Sequence, residues 1–227
     1  LLIIFLFPLF FYKLGQSSLV SFDEAWYGSI AKNILKTGNL FLLYFNGQIY
    51  NDHQPFGFWL IALSQKVLGS SEFAVRLPPA FCGMLSLVIT YLLGKELFNR
   101  WVGFASAIAL SSATWFLFRA RSGNLDVILT MLFLLTIYLA IKSSKNIKFL
   151  IPFSISFSVL FLTKTIVPLT IIPALIVIFW QKFSIYKISR RQLEMTLISL
   201  LIFVSLIGSW LVFQFSYQPD FLKHYLN

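Results

Sequence analysis

Charge is scarce in this chain, and acid scarcer still: charged residues make up 11% of the 227, and eight are Asp or Glu. Half of those eight, Asp23, Glu24, Asp52 and Glu72, fall in one polar excursion near the start, so carboxylate chemistry has few other places to sit. A single cysteine, Cys82, excludes an internal disulfide and leaves the redox compartment unread. P-loop, GxSxG and zinc-finger spacings are missing, which removes the corresponding nucleotide, serine-hydrolase and zinc-module readings. The first residue is a leucine inside an apolar run, and the expectation is a processed, trimmed or partial N-terminus.

What fills the chain is apolar. Hydrophobic residues reach 58% and aromatics 18%, against roughly half apolar in a soluble domain, so the chain reads as an all-α, polytopic transmembrane helical bundle. A net charge of +10 in a soluble protein would suggest nucleic acid. Here the Lys and Arg residues gather at the ends of apolar runs, where they meet membrane lipids and set topology, and no nucleic-acid partner is expected.

At about 20 residues per crossing, spans are expected at 1–11 (truncated), 77–97, 101–118, 125–141, 149–162, 166–180 and 193–215, two of them short. Between the first two, residues 13–76 form a long loop in which 24–36 and 56–68 show helical apolar spacing and read as helices lying on the membrane surface. The whole chain is expected to be one transmembrane domain. Alternation puts Lys95, Arg100, Lys142, Lys145, Lys148, Lys182, Lys187, Arg190 and Arg191 on one side, which the positive-inside rule makes cytoplasmic. The opposite, extracytoplasmic face then collects the loop, the 119–124 turn, Lys164 and the C-terminal tail. Arg119, Arg121 and Lys164 break the charge bias there, and a bound anion would explain them.

Five segments in order carry a resemblance: DEAWYGSIAKNILKTGNLF, NGQIYNDHQPFGFWLIALSQKVLG, EFAVRLPPAFCGMLSLVITYLLGKELF, RARSGNLDVILTMLFLLTIYLAI and FLTKTIVPLTIIP. Together, over about residues 21–173, they resemble glycosyltransferase family 39, which includes protein O-mannosyltransferases and bacterial transferases that add aminoarabinose to lipid A. The resemblance implies a GT-C fold in a plasma-membrane enzyme of a bacterium or archaeon. It also implies a sugar, hexosyl or pentosyl, taken from a polyprenyl-phosphate donor on the extracytoplasmic side, with inversion. The acceptor would be a protein, a lipid or a glycan. Family members are longer, so the chain resembles the N-terminal catalytic half and is expected to be a fragment.

Residue by residue, the first family acid falls on Asp23, as base or hydrogen-bond acceptor for the attacking hydroxyl. The competing account is a helix N-cap. Glu24 follows it about 100° round a helix, so the two carboxylates should not act on one atom. Asp126 falls on the second family acid, with helix-dipole complementation as the alternative. Arg119, Arg121 and Lys164 would bind the carrier phosphate or, alternatively, anchor to headgroups. Asp52 and His53 match an acidic-then-basic pair, although Gln54 stands where the family has a proline, Arg76 would pair with a loop carboxylate, and the resemblance puts Glu24, Asp52, His53 and Arg76 among the substrate contacts. Asp52 and His53, even with His224, supply too few ligands for a firmly held metal, which leaves a divalent metal as the open alternative. A transporter or lipid flippase is the rival class, but it wants ionisable groups at midplane, where this chain has almost none.

Overall fold

A computed structural model describes residues 2–19, 21–164, 166–180 and 189–218, with the side chains of 2–5, 21 and 22 left aside. The chain divides into two compact units, Leu1–Tyr50 with Pro55–Leu134, and Asn51–Gln54 with Leu135–Asn227.

In the first unit, α1 (Leu2–Phe11) leads into α2 (Ser21–Thr37), a two-stranded hairpin, α3 (Phe56–Leu68), α4 (Glu72–Leu97), α5 (Arg100–Ser112), α6 (Thr114–Ala120) and the start of α7 (Asp126–Lys145). Strands β1 (Tyr44–Phe45) and β2 (Gln48–Ile49) pair antiparallel, with Tyr44 opposite Ile49. Asn46 and Gly47, at φ 49° and 79°, make the tight turn that an Asn-Gly dipeptide favours. Asn33 Nδ2 donates to the Tyr44 carbonyl at 2.9 Å and ties the hairpin to α2. Helices α2 and α3 pack through Tyr27 and Phe58, whose rings meet edge to face at 5.3 Å, above buried Ile30 and Ile61. The long α4 starts at a Ser71 cap, whose hydroxyl accepts from Ala74 N–H. It lies close to α5: a Cβ on Gly94 would come within 2.6 Å of the Gly103 Cα, so only glycine permits that approach.

The expected span 101–118 is not one helix. It breaks at Ala113, and α5 and α6 diverge by 72°. Beside the break the Ser111 and Ser112 hydroxyls donate to the carbonyls of Ile108 and Ala109 at 2.8 and 2.9 Å. Ala113 itself adopts an extended ψ of 101°.

The second unit takes the rest of α7, then α8 (Leu150–Phe161), α9 (Ile172–Trp180) and α10 (Arg190–Tyr217), with 3-10 turns at Ile147–Phe149 and Val167–Ile171. Thr136 and Ser156 share a hydrogen bond of 2.9 Å between α7 and α8. The Phe157 and Phe203 rings stack at 5.3 Å between α8 and α10. Among the described residues, α4, α7 and α10 are each long and apolar enough to cross a membrane, and the bent α5–α6 pair makes a fourth candidate. The expected spans at 149–162 and 166–180 fall on shorter apolar helices. This is an integral membrane protein. Most large apolar side chains of α10, including Leu197, Leu201 and Val204, lie on the outer surface of the unit, as lipid-facing residues do.

Candidate active site

The first turn of α2 carries adjacent carboxylates that serve different structures. The helix begins at Ser21, so Asp23 lies inside the first turn and not at the cap position that the sequence left open for it. As the helical spacing predicts, Asp23 and Glu24 diverge.

Glu24 turns inward. Its Oε1 and Oε2 accept from Arg76 Nε and Nη2 at 2.9 and 2.8 Å, a two-pronged pair in which both residues are at most 5% exposed. The remaining Arg76 protons go to the carbonyls of Leu14, Ser17 and Ser18 at 3.0, 2.8 and 2.9 Å. All five guanidinium N–H groups are thus committed within the protein. Sequence reasoning placed both residues against substrate, but Arg76 keeps no donor for a phosphate and the pair forms the frame of the site. Glu24 Oε1 also accepts from Gly123 N–H at 2.7 Å, which brings the 121–124 turn onto the same carboxylate.

That contact explains why residue 123 is glycine, a requirement the sequence alone did not disclose. A Cβ there would meet Val75 Cγ1 at 2.6 Å. Gly123→Ala is expected to lower the thermal midpoint by several degrees and Val75→Ala in the same chain to restore most of it, as read by thermal unfolding in detergent.

Asp23 turns outward. Arg119, on the last turn of α6, reaches it with Nη1 to Oδ2 at 3.3 Å, and the same Nη1 lies 3.9 Å from Asp126 Oδ2. One guanidinium therefore stands between the two carboxylates, each half-exposed. Asp126 is placed by the turn before it: Asn124 Oδ1 accepts from the Asp126 N–H at 3.0 Å, while Asn124 Nδ2 donates to Ser122 Oγ at 2.6 Å. The α5–α6 bend matters here, because α6 carries Arg119 at its end. The Trp115 ring, 5.1 Å from the Arg119 guanidinium carbon, flanks it on the exposed side.

Asp23 and Arg119 line a cavity of about 320 Å³, whose wall also includes Lys13, Glu24, Arg76, Phe118 and Arg121. Lys13 was not foreseen, since it lies just past the first apolar run and looks like an ordinary anchor. Arg121 donates to the carbonyls of Leu9 and Tyr12, both at 2.7 Å, and so holds the end of α1 as well as lining the cavity. Asp52, His53 and Lys164 belong to the second unit. Within that unit Asn51, beside Asp52, donates to Gln218 Oε1 at 2.7 Å, next to the end of α10. Lys164 follows α8, its N–H bonded to the Leu160 carbonyl. Among the described residues no three His, Cys, Asp or Glu side chains gather as a metal site. His224, Lys182 and Lys187 lie outside the described residues.

The chain is similar to undecaprenyl phosphate-alpha-4-amino-4-deoxy-L-arabinose arabinosyl transferases. With that of Pseudomonas savastanoi pv. phaseolicola it is 38% identical over 114 residues, 50% of this chain and 21% of the relative. With the second such protein of Pseudomonas fluorescens it is 26% identical over 215 residues, 89% of this chain and 36% of the relative. The chain thus spans between a fifth and about a third of these relatives' lengths. Among solved structures, ArnT from Cupriavidus metallidurans bound to undecaprenyl phosphate superposes with a TM-score of 0.81 at 18% identity, covering 97% of this chain and 42% of that one. At that identity the likeness establishes the fold, which is GT-C. The family model described as dolichyl-phosphate-mannose-protein mannosyltransferase matches residues 52–210, well over half of the chain, and the protein belongs to that family.

Proposed function

We propose that this protein is a membrane glycosyltransferase that moves a sugar from a polyprenyl-phosphate donor to an acceptor hydroxyl or amine on the extracytoplasmic face. The observation that carries the proposal is the Arg119 guanidinium, 3.3 Å from Asp23 and 3.9 Å from Asp126 at the edge of a cavity with further cations around it. A phosphate group entering there would meet Arg119 and Lys13, with Asp23 on the same rim to face the attacking group.

In this reading the acceptor oxygen or nitrogen forms a bond to the anomeric carbon as the bond from that carbon to the phosphate oxygen breaks. Asp23 takes the acceptor proton, and Arg119 stabilises the charge that the departing polyprenyl phosphate keeps. Attack opposite the leaving group gives inversion. Asp126 holds Arg119 in register. Arg121, Asp52, His53 and Lys164 remain proposed substrate contacts. The names of the relatives support a pentosyl group carried on undecaprenyl phosphate as the donor. The reading also keeps residues 13–76 as the first extracytoplasmic loop, with α2 and α3 on the membrane surface.

Transfer of radiolabelled sugar from an undecaprenyl-phosphate donor, by the full-length protein in lipid nanodiscs, tests the function. Arg119→Gln is expected to raise the donor KM at least tenfold. An unchanged donor KM would remove Arg119 from the phosphate site. Orientation is tested by labelling cysteines in intact cells with a membrane-impermeant maleimide. Ser122→Cys should react from outside and Ser144→Cys should not, and Cys82, being buried, contributes no background. The reverse pattern would turn the protein over in the membrane.

A further inference from the structure

Between α2, the end of α3 and the start of α4 is a hollow of about 320 Å³, lined among others by Ser29, Lys32, Gln65, Ser70 and Glu72. These residues all belong to the first unit, and none of them lines the Asp23–Arg119 cavity. Gln65 is 5% exposed, and its Nε2 donates at 3.1 Å to the carbonyl of Gly28, which is also on the wall of the hollow. Because Nε2 must face that carbonyl, Oε1 is the atom turned elsewhere, and among the described residues it accepts from nothing. A buried carbonyl oxygen without a donor is costly, and a ligand that brings one would remove the cost.

Glu72 puts a negative charge on the same wall. It complements the α4 dipole and its charge is felt at Arg76, but the Arg76 N–H groups are all used by other acceptors. A primary ammonium, with three N–H donors and a positive charge, answers both Gln65 Oε1 and the Glu72 carboxylate. Lys32 and the hydroxyls of Ser29 and Ser70 offer the hollow donors, and among the described residues no ion pair joins Lys32 to Glu72. The wall thus suits a ligand that carries an ammonium and an anion close together.

The position of the hollow narrows the anion. Helix α4 has 26 residues and is about 39 Å long, more than the hydrocarbon core of about 30 Å that it is apolar enough to cross. Its first residue, Glu72, therefore stands at the level of the lipid headgroups, where the common anion is phosphate. Leu68 and Phe73, exposed in the chain on either side of residues 70–72, give acyl chains an apolar surface.

We propose that this hollow binds a phosphoethanolamine group, presented by a phospholipid headgroup or as the free compound. The ammonium meets Gln65 and Glu72, and the phosphate meets Lys32. The site does not depend on the transferase reading.

The full protein in a neutral detergent is titrated with phosphatidylethanolamine, phosphatidylcholine, phosphatidylglycerol and free phosphoethanolamine. Binding is read by native mass spectrometry and by the shift of the thermal midpoint. Phosphatidylethanolamine is expected to bind and raise the midpoint. Phosphatidylcholine, whose ammonium carries methyl groups in place of N–H donors, and phosphatidylglycerol, which has no ammonium, should each bind about tenfold more weakly or worse. Glu72→Gln, Gln65→Met and Lys32→Gln are each expected to weaken phosphatidylethanolamine binding about tenfold. Should Gln65→Met not fold, Glu72→Gln decides. Free phosphoethanolamine that matches the lipid, and is lost in the same variants, supports the site and assigns it to the free compound. Phosphatidylcholine or phosphatidylglycerol binding as tightly as phosphatidylethanolamine overturns the proposal, as does an affinity unmoved by Glu72→Gln. So does a Lys66→Gln variant, altered at an exposed α3 residue outside the hollow, that loses as much affinity as Lys32→Gln, because the attraction is then diffuse.

Discussion

Asp23→Asn is expected to lower the rate of sugar transfer by roughly 10²- to 10⁴-fold, the usual contribution of a general base, while leaving the protein folded. The substitution keeps size and shape, and the ion pair it removes is a partly exposed one at 3.3 Å, of a kind that adds about 1 kcal/mol or less to stability. A large rate effect with a small stability effect separates chemistry from scaffolding. The donor KM should rise by less than kcat falls, since Asp23 also holds Arg119 Nη1 at 3.3 Å. Should Asp23→Asn instead raise the donor KM and spare kcat, the carboxylate acts only as an anchor for Arg119, and the base must be sought elsewhere. Asp126→Asn provides the contrast: at 3.9 Å from Arg119 Nη1, its loss should loosen the guanidinium, raising the donor KM more than it lowers kcat. Steady-state transfer at varied donor and acceptor concentrations reads all of these outcomes.

The meeting of Asp23, Arg119 and Asp126 was legible in the sequence because it follows from alternation of spans and from cations standing where the charge bias does not want them. Helices α2 and α3 were legible from periodicity, with α3 at Phe56–Leu68 as expected and α2 extending its expected segment by three residues at the start and one at the end. The break at Ala113 was hidden because hydropathy does not register it: the segment stays apolar on both sides of the bend. The β1–β2 hairpin carried a signal that could have been used, the Asn46-Gly47 dipeptide. Gly123 carried none, because its need for a bare Cα comes from Val75 and Glu24, which lie far away along the chain. The part played by Glu24 and Arg76 was half visible. A pairing of Arg76 with a loop carboxylate could be anticipated, but the carbonyls of Leu14, Ser17 and Ser18 that complete it are backbone groups with no mark in the sequence.

Breaking that pair should have the largest effect on stability. Arg76→Met takes from the buried Glu24 carboxylate both of its bonds to the guanidinium. Removing one partner of a buried ion pair costs about 3–5 kcal/mol, and three segments, residues 14–18, the start of α2 and the 121–124 turn, lose their common tie. Glu24→Gln should cost a comparable amount, since it strands the guanidinium. The double substitution Glu24→Gln with Arg76→Met is expected to be less damaging than the sum of its parts, because no uncompensated charge is then left inside. Arg76→Lys distinguishes a frame from a substrate contact. An ammonium has three donors on one atom and cannot reproduce the five-donor fork, so a frame residue loses much of its stability in the exchange. A residue whose task was to meet a phosphate would keep its thermal midpoint and change mainly the donor KM. Thermal unfolding of the four variants in one detergent, with donor KM measured on those that remain folded, decides between them. A midpoint unmoved by Arg76→Lys would return Arg76 to the substrate side of the cavity.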